Sequence, residues 1–290
     1  MACRVNIPFA KAGVGLRFVI PLASVASARL TLIPELIPPG ERLMGADLAE
    51  QALEGLARAP RYASLEMCHA VDPVADVLAE DGRLASQILC GEIFEVLFRR
   101  GGRAYGRSRR DGTVGWVSES ALKSRKPNPS YRVRSHGGTY PFNALVTGSE
   151  AGLDTAELVS LVAFETDAVA VARGFIEAPV KAGSRSSSVD GIGLVQQVLF
   201  ACGRAAPRRA VDLAAVGRAV EPAALEAGDI IVWISGDDPA VGHAALVVDA
   251  GHVIHACANA GKVVEADLSD VMTQARKAGL LSPHYRRPTF

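Results

Sequence analysis

The feature that most constrains this chain is the stretch Arg185 to Gly203, R-S-S-S-V-D-G-I-G-L-V-Q-Q-V-L-F-A-C-G, in which a polar loop feeds straight into an apolar helix. Ser186, Ser187, Ser188 and Asp190 are residue types that stop or cap helices. Leu194, Val195, Val198, Leu199 and Ala201 then recur at helical spacing, and Gly203 supplies a C-terminal stop. A helix of this apolarity has to be buried by the rest of the chain. Its loop-held N-terminus carries unpaired N–H groups and the positive end of the dipole, which suits it to carry chemistry.

At 290 residues the chain is long enough for two or three units. With 49% hydrophobic and 21% charged residues it reads as a soluble globular protein with a proper core. The formal net charge of zero gives no global electrostatic reason to expect a nucleic-acid or membrane partner. No apolar run reaches the length of a membrane span. Cys3, Cys68, Cys90, Cys202 and Cys257 are widely spaced and form no CxxC pair, so no metal, no cofactor and no disulfide framework is expected. Reduced, buried thiols in a cytoplasmic protein are the expectation. Near the start, Arg4, Lys11 and Arg17 precede an apolar run from Phe18 to Val25, and Ala26-Ser27-Ala28 resembles a signal-peptidase site. The long leader and the interruption at Pro21 favour a cytoplasmic location over export.

Along the chain, Gly45 to Ala59 has the pattern of an amphipathic helix, with Leu48, Ala52, Leu53 and Leu56 on one face. From Val71 to Lys126 the texture changes to short strands such as Ile93–Phe98 and Thr113–Val117, separated by Gly-containing turns. That spacing suggests a small, strongly bent barrel. The segments from Gln87 to Phe94 and Asp111-Gly-Thr-Val-Gly-Trp-Val117 resemble the bacterial SH3-like domains attached to cell-wall peptidases. Ala104 stands where such domains place a tryptophan. Residues 81–134 hold twelve Lys/Arg against five Asp/Glu, a set of solvated turns or a patch for an anionic partner. Pro127-Asn-Pro129 reads as a linker, and Tyr131 to Phe164 as a second, degenerate barrel. Beyond it, Thr166 is placed to cap a helix over Asp167–Ile176. Strands are expected at Ile230–Ile234, His243–Val248 and Val253–Ala256, and a closing helix at Asp267–Lys277.

Two histidines on these strands bear on chemistry. If Asp249-Ala-Gly251 is a three-residue hairpin loop with Gly251 left-handed, Ala245 faces His255 and His243 faces Cys257. His243 and His255 then lie on one sheet face as diagonal neighbours about 7–8 Å apart. A slip of one residue would separate them. Two histidines on one sheet face beside a helix N-terminus is the layout of a cysteine-peptidase site. There the dipole and one imidazole lower the thiol pKa, and the second imidazole orients the first.

At this point the chain resembles the NlpC/P60-type cell-wall peptidases, which are papain-like in architecture. The resemblance is carried by Ala178-Pro179, Gly183-Ser-Arg-Ser-Ser, Asp190 with Gly193-Leu-Val-Gln196, Ala227-Gly-Asp229, Trp233, Gly242-His243 and Ile254-His-Ala256. It implies cleavage of peptidoglycan stem peptides between D-glutamate and a diamino acid, with His243 as base and His255 as its orienting residue. It also implies that the nucleophile's place, in a family pattern D-C-S-G-L-V-Q, is held by Gly191, and the following serine's by Ile192. Upstream, Val180, Lys181 and Ala182 replace the residues between the proline and glycine of P-Y-x-W-G-G, and Ser184 its last glycine. Leu213 stands where members place a substrate-side glutamine. Asp190, Val180, Lys181 and Ile192 are thus the expected substrate-side positions, and His243 and His255 a vestigial pair.

A substitute nucleophile finds little support. Cys202 lies about 16 Å up the helix axis from Gly191 at 1.5 Å per residue. Cys257, opposite His243 in the expected register, lacks a helix N-terminus, and Ser188 is a loop hydroxyl. Asp249 and Asp229 read as turn residues, and no carboxylate or thiol set accompanies the histidines as a zinc site requires. The expected protein is α+β: an N-terminal extension and helix (1–69), an SH3-like barrel (70–126), a second small barrel (129–165) and a papain-like domain (166–290). Its expected role is an inactive homologue of a γ-D-glutamyl-L-diamino acid endopeptidase, binding muropeptides or acting as a scaffold. The alternatives are an active hydrolase with a relocated nucleophile and a partner subunit of an active paralogue.

Overall fold

The computed structural model describes residues 38–125 and 127–289, so the signal-like segment between Arg4 and Ala28 lies outside the described residues. Two short strands, β1 (Ala49–Glu50) and β2 (Tyr62–Ala63), pair in parallel ahead of the first large sheet. The amphipathic helix expected over Gly45–Ala59 does not form. Its place is taken by β1, a single 3-10 turn at Gln51–Leu53 and a turn through Gly55, whose φ of 84° is left-handed. The physical reason is Glu50. Helical spacing puts it on the polar face, but it is buried, accepting from the Leu43 N–H at 2.9 Å and pairing with Arg107 at 3.2 Å. Leu43, Ala49 and Leu53 go inward with it, while Leu56 stays 46% exposed.

Seven strands follow: β3 (Glu66–Ala70), β4 (Val74–Leu78), β5 (Leu84–Leu89), β6 (Ile93–Arg100), β7 (Arg103–Ser108), β8 (Val114–Ser118) and β9 (Leu122–Ser124). Their spatial order is β5-β4-β8-β7-β6-β3-β9, all antiparallel. Register shifts between Val77 and Leu78 and between Val96 and Phe98 bend the sheet, as bulges do. The bend encloses Val77, Ile88, Phe94, Val96, Ala104 and Val117. Tyr105, Trp116 and Phe98 lie on the other side, their rings in tilted and edge-on contact and packed with Leu43 and Leu48 of the N-terminal segment.

Where a second barrel was expected, the chain makes an open three-stranded sheet, β10 (Tyr131–Val133), β11 (Leu145–Val146) and β12 (Leu158–Ser160), in the order β11-β10-β12. Strands of two or three residues bury too little alone. Val133, Ala144 and Val146 therefore share a core with Leu89 and Cys90 of the first barrel.

Asp167, rather than Thr166, caps α1 (Ala168–Arg173), accepting from the Ala170 N–H at 2.9 Å. The helix ends short of the expected Ile176, in a turn where Glu177 has φ 72°. Then come α2 (Gly191–Ala201), α3 (Ala210–Leu213), β13 (Arg218–Ala219), β14 (Ile230–Ile234), β15 (Gly242–Val247), β16 (His252–Cys257), β17 (Lys262–Asp267), α4 (Leu268–Lys277) and β18 (His284–Arg287). The last six strands form one antiparallel sheet, β13-β18-β14-β15-β16-β17. Alternation splits its side chains: Ile230, Val232, Leu246 and Ile254 join the core of α2, while Ile231, Val247 and Val253 join that of α4. Among the described residues no helix is long and apolar enough to cross a membrane.

Candidate active site

The site begins with the cap of α2. Asp190 is the N-cap residue, its carboxylate accepting from the Gly193 N–H at 2.7 Å and from the Gly183 N–H at 2.8 Å. Burial works to raise that carboxyl, but Arg208, which ion-pairs with it, and the two N–H groups hold it below the usual range. Arg208 also donates to the Ala85 carbonyl of the barrel at 3.0 Å. The loop before the helix is fixed from the same side. Ser184 Oγ and the Arg185 N–H donate to Gln87 Oε1 at 2.8 and 3.0 Å, and the buried Arg185 guanidinium pairs with Glu92 and lies 3.6 Å from Asp111. The barrel therefore sets the position of the helix start.

The hairpin that carries the histidines has the expected register. Ala245 pairs with His255 and Val247 with Val253, and the Val248 N–H donates to the His252 carbonyl at 2.9 Å. The loop is closed differently from expectation. Gly251 is not left-handed, and the Asp249 carboxylate braces the turn by accepting from the Gly251 and His252 N–H groups at 2.8 and 2.9 Å. The β15–β16 ladder stops at Ala245, so the expected pairing of His243 with Cys257 is absent. Cys257 pairs with Lys262 on β17 instead, and its thiol points at Gln274 Oε1, 3.9 Å away.

His243 and His255 do come together: His243 Nε2 lies 3.1 Å from His255 Nδ1, with the rings at 84°. Trp233, paired with His243 across β14 and β15, packs its ring 5.7 Å from the His243 imidazole. Burial pushes both imidazoles down to about 4, and for His243 the neighbouring His255 adds to the effect against a weaker pull from Asp190. Both are neutral at pH 7. One proton therefore sits between Nε2 and Nδ1, while His255 Nε2 and Trp233 Nε1 are buried without a hydrogen-bond partner among the described residues.

The free nitrogen of His243 is directed at Gly191. A Cβ built on residue 191 would lie 2.5 Å from His243 Nδ1 and 2.8 Å from the Ala244 carbonyl oxygen. The first atom of any side chain at the helix start would thus overlap the imidazole. Among the described residues no thiol or hydroxyl is hydrogen-bonded to either ring. Cys202 and Cys90 are pushed up to about 11 by burial, and Ser188 Oγ is engaged with Ser184 Oγ at 2.8 Å. No group of three metal-ligating side chains occurs among the described residues.

The expected substrate-side residues are dispersed. Ile192 and Leu213 are buried in the α2 core, Val180 packs against it, and the Asp190 carboxylate is consumed by the cap and Arg208. Only Lys181 offers an exposed polar group. Sequence reasoning missed Arg208 and the barrel residues Gln87 and Glu92. Arg208 sits in an aperiodic segment, and only the unpaired charge of a capping Asp190 hinted that a cation must approach. Two open clefts of about 290 Å³ each lie elsewhere, on either side of Arg110.

Residues 79–122 match the family model described as the bacterial dipeptidyl-peptidase Sh3 domain, and residues 180–281 match that of the NlpC/P60 family. The structure is similar to that of an NlpC/P60 family protein from Bacillus cereus ATCC 10987, with a TM-score of 0.64 and 16% identity over 76% of this chain and 99% of that one. It is also similar to NlpC1 from Trichomonas vaginalis, with a TM-score of 0.40 and 16% identity over 78% of this chain and 94% of that one. The peptidoglycan hydrolase RipB from Mycobacterium tuberculosis is 26% identical over 41% of this chain and 62% of its own, with a TM-score of 0.33. No curated protein matches the chain.

Proposed function

We propose that this chain, which belongs to the NlpC/P60 family through residues 180–281 and carries a bacterial SH3 domain before them, is a non-catalytic member that binds peptidoglycan stem peptides without cutting them. The observation that carries the reading is the space at the start of α2. Gly191 stands where the resemblance puts the nucleophile, and the His243 imidazole lies where its Cβ would be. Covalent catalysis needs a heteroatom within hydrogen-bond reach of its base. Here a base with an orienting partner is in place, and among the described residues no such atom faces it. What supports retention for binding is the rest of the frame: the helix start is still capped and held to the barrel, the histidine pair is still assembled beside it, and Lys181 is exposed nearby in sequence.

Relocation of the nucleophile is disfavoured by the same geometry. Cys257 faces Gln274 and the remaining described thiols are buried. Isothermal calorimetry of the full chain with an L-Ala-γ-D-Glu-diamino acid tripeptide tests the reading. Saturable heat with the peptide recovered intact is the expected result. Absence of binding, or recovery of cleaved peptide, would refute it.

A further inference from the structure

Five of the twelve basic residues between positions 81 and 134 are spent on acidic partners away from Arg110. Arg83 pairs with Asp81, Arg99 with Glu66 and Glu119, Arg107 with Glu50 and Glu95, and Arg132 and Arg134 with Glu165. Of the rest, Arg109 and Arg110 lie beside Arg204 of the segment after α2 in the lining of two clefts. These clefts, of about 290 Å³ each, share Arg110 as a wall; Arg109 and Pro129 line the first, Arg204, Phe164 and Phe200 the second.

Arg110 is held but not satisfied. Its guanidinium carbon sits 4.3 Å over the Phe200 ring, and its Nε is buried, 3.3 Å from Glu92 Oε1, without a hydrogen bond. Glu92 has little left to give, since it accepts from the Leu89 N–H at 3.0 Å and from both terminal nitrogens of Arg185. Arg109 and Arg204 are exposed and form no ion pair among the described residues. Burial, together with the nearby Arg185 and Arg132, pulls Arg110 below the usual arginine value. A helix C-terminus attracts cations, and α2 ends here. Its last carbonyls, however, are already taken by backbone N–H groups: Val198 by Cys202, Leu199 by Arg204, Phe200 by Gly203 and Ala201 by Glu165. The arginines are therefore not spent on capping the helix.

We propose that the clefts flanking Arg110 bind a small multivalent anion, a polycarboxylate or phosphate-bearing molecule, held by Arg110 together with Arg204 beside the Phe200 ring in the second cleft or with Arg109 in the first. Guanidinium forks match both oxyanions in bidentate geometry. The site is distinct from the histidine pair: Phe200 lies about 13 Å along α2 from Gly191. It joins the barrel, the three-stranded sheet and α2, so an occupant would tie all three together. The inference does not depend on the proposed function.

The test is calorimetry of the full chain with three probes: inorganic phosphate, citrate and the stem tripeptide. Each is repeated on Arg204→Gln and Arg109→Gln, whose exposed side chains can be changed without touching the buried ion cluster. At least one probe is expected to bind, to weaken by about tenfold in one or both variants, and to weaken as salt is raised. Sensitivity of the peptide alone identifies a cell-wall source, and sensitivity of citrate or phosphate a free anion. No heat from any probe, or affinities unchanged in both variants, overturns the site. A tripeptide that binds all three proteins equally, with neither citrate nor phosphate weakened in a variant, overturns the site and leaves the proposed function standing.

Discussion

At the scale of single residues, one missing side chain and one imidazole define the site. Because a Cβ at 191 would overlap His243 Nδ1 and crowd the Ala244 carbonyl, Gly191→Ala is expected to cost about 1–3 kcal/mol, although alanine favours helix over glycine. Adding His243→Ala removes one of the two obstructions and is expected to recover about 1 kcal/mol in a double-mutant cycle read by urea unfolding. The histidine pair also makes a pH prediction. Each imidazole titrates near about 4 in the fold against 6.5 ordinarily, so as pH falls the unfolded chain takes up protons first. Its contribution is complete above pH 6.5 and is lost as pH falls towards about 4. His255→Phe should flatten that acid limb by up to about 3 kcal/mol, measured as unfolding free energy against pH. The identities of these residues were legible from the motif order. The overlap was not, because it depends on a closeness of helix and strand that no spacing rule encodes.

At the scale of elements, α2 is positioned by its first turn. Asp190→Ala removes the acceptor for two backbone N–H groups and strands the Arg208 guanidinium, so a loss of about 2–4 kcal/mol is expected in chemical denaturation. Asp190→Asn, which can still cap, should lose less. Elements whose signal is local were readable: α2 with its cap, the strands and the Ala245–His255 register all follow from short-range pattern and loop length. The segment Gly45–Ala59 failed for the opposite reason. Its leucines have helical spacing, but Glu50 is drawn inward by Arg107, 57 residues away, and a long-range ion pair outweighs a local period. The three-stranded sheet was misjudged similarly, since it borrows Leu89 and Cys90 from the barrel instead of closing its own core.

At the scale of the whole molecule, the barrel and the papain-like domain are locked by charges withdrawn from water. Arg185, Glu92 and Asp111 are all buried, and Arg185 comes from the loop that precedes α2 while its partners come from the barrel. Arg185→Met leaves the buried Asp111 without its arginine and Glu92 with Arg110 alone, for an expected loss of about 3–5 kcal/mol. In scanning calorimetry the variant should melt at a lower temperature than the parent, because the helix start is then held to the barrel through Gln87 and Arg208 without the buried ion cluster. The order of domains was visible in the sequence through the D-G-x-V-G-W-V and G-L-V-Q segments; the lock was not, since an arginine in a serine-rich loop carries no sign of its partner. The account as a whole rests on position 191 offering nothing for His243 to activate. The most direct measurement is mass-spectrometric analysis of the L-Ala-γ-D-Glu-diamino acid tripeptide incubated with the pure, reduced protein at neutral pH. Intact peptide at every time point is the predicted result; turnover that disappears in His243→Ala would contradict it.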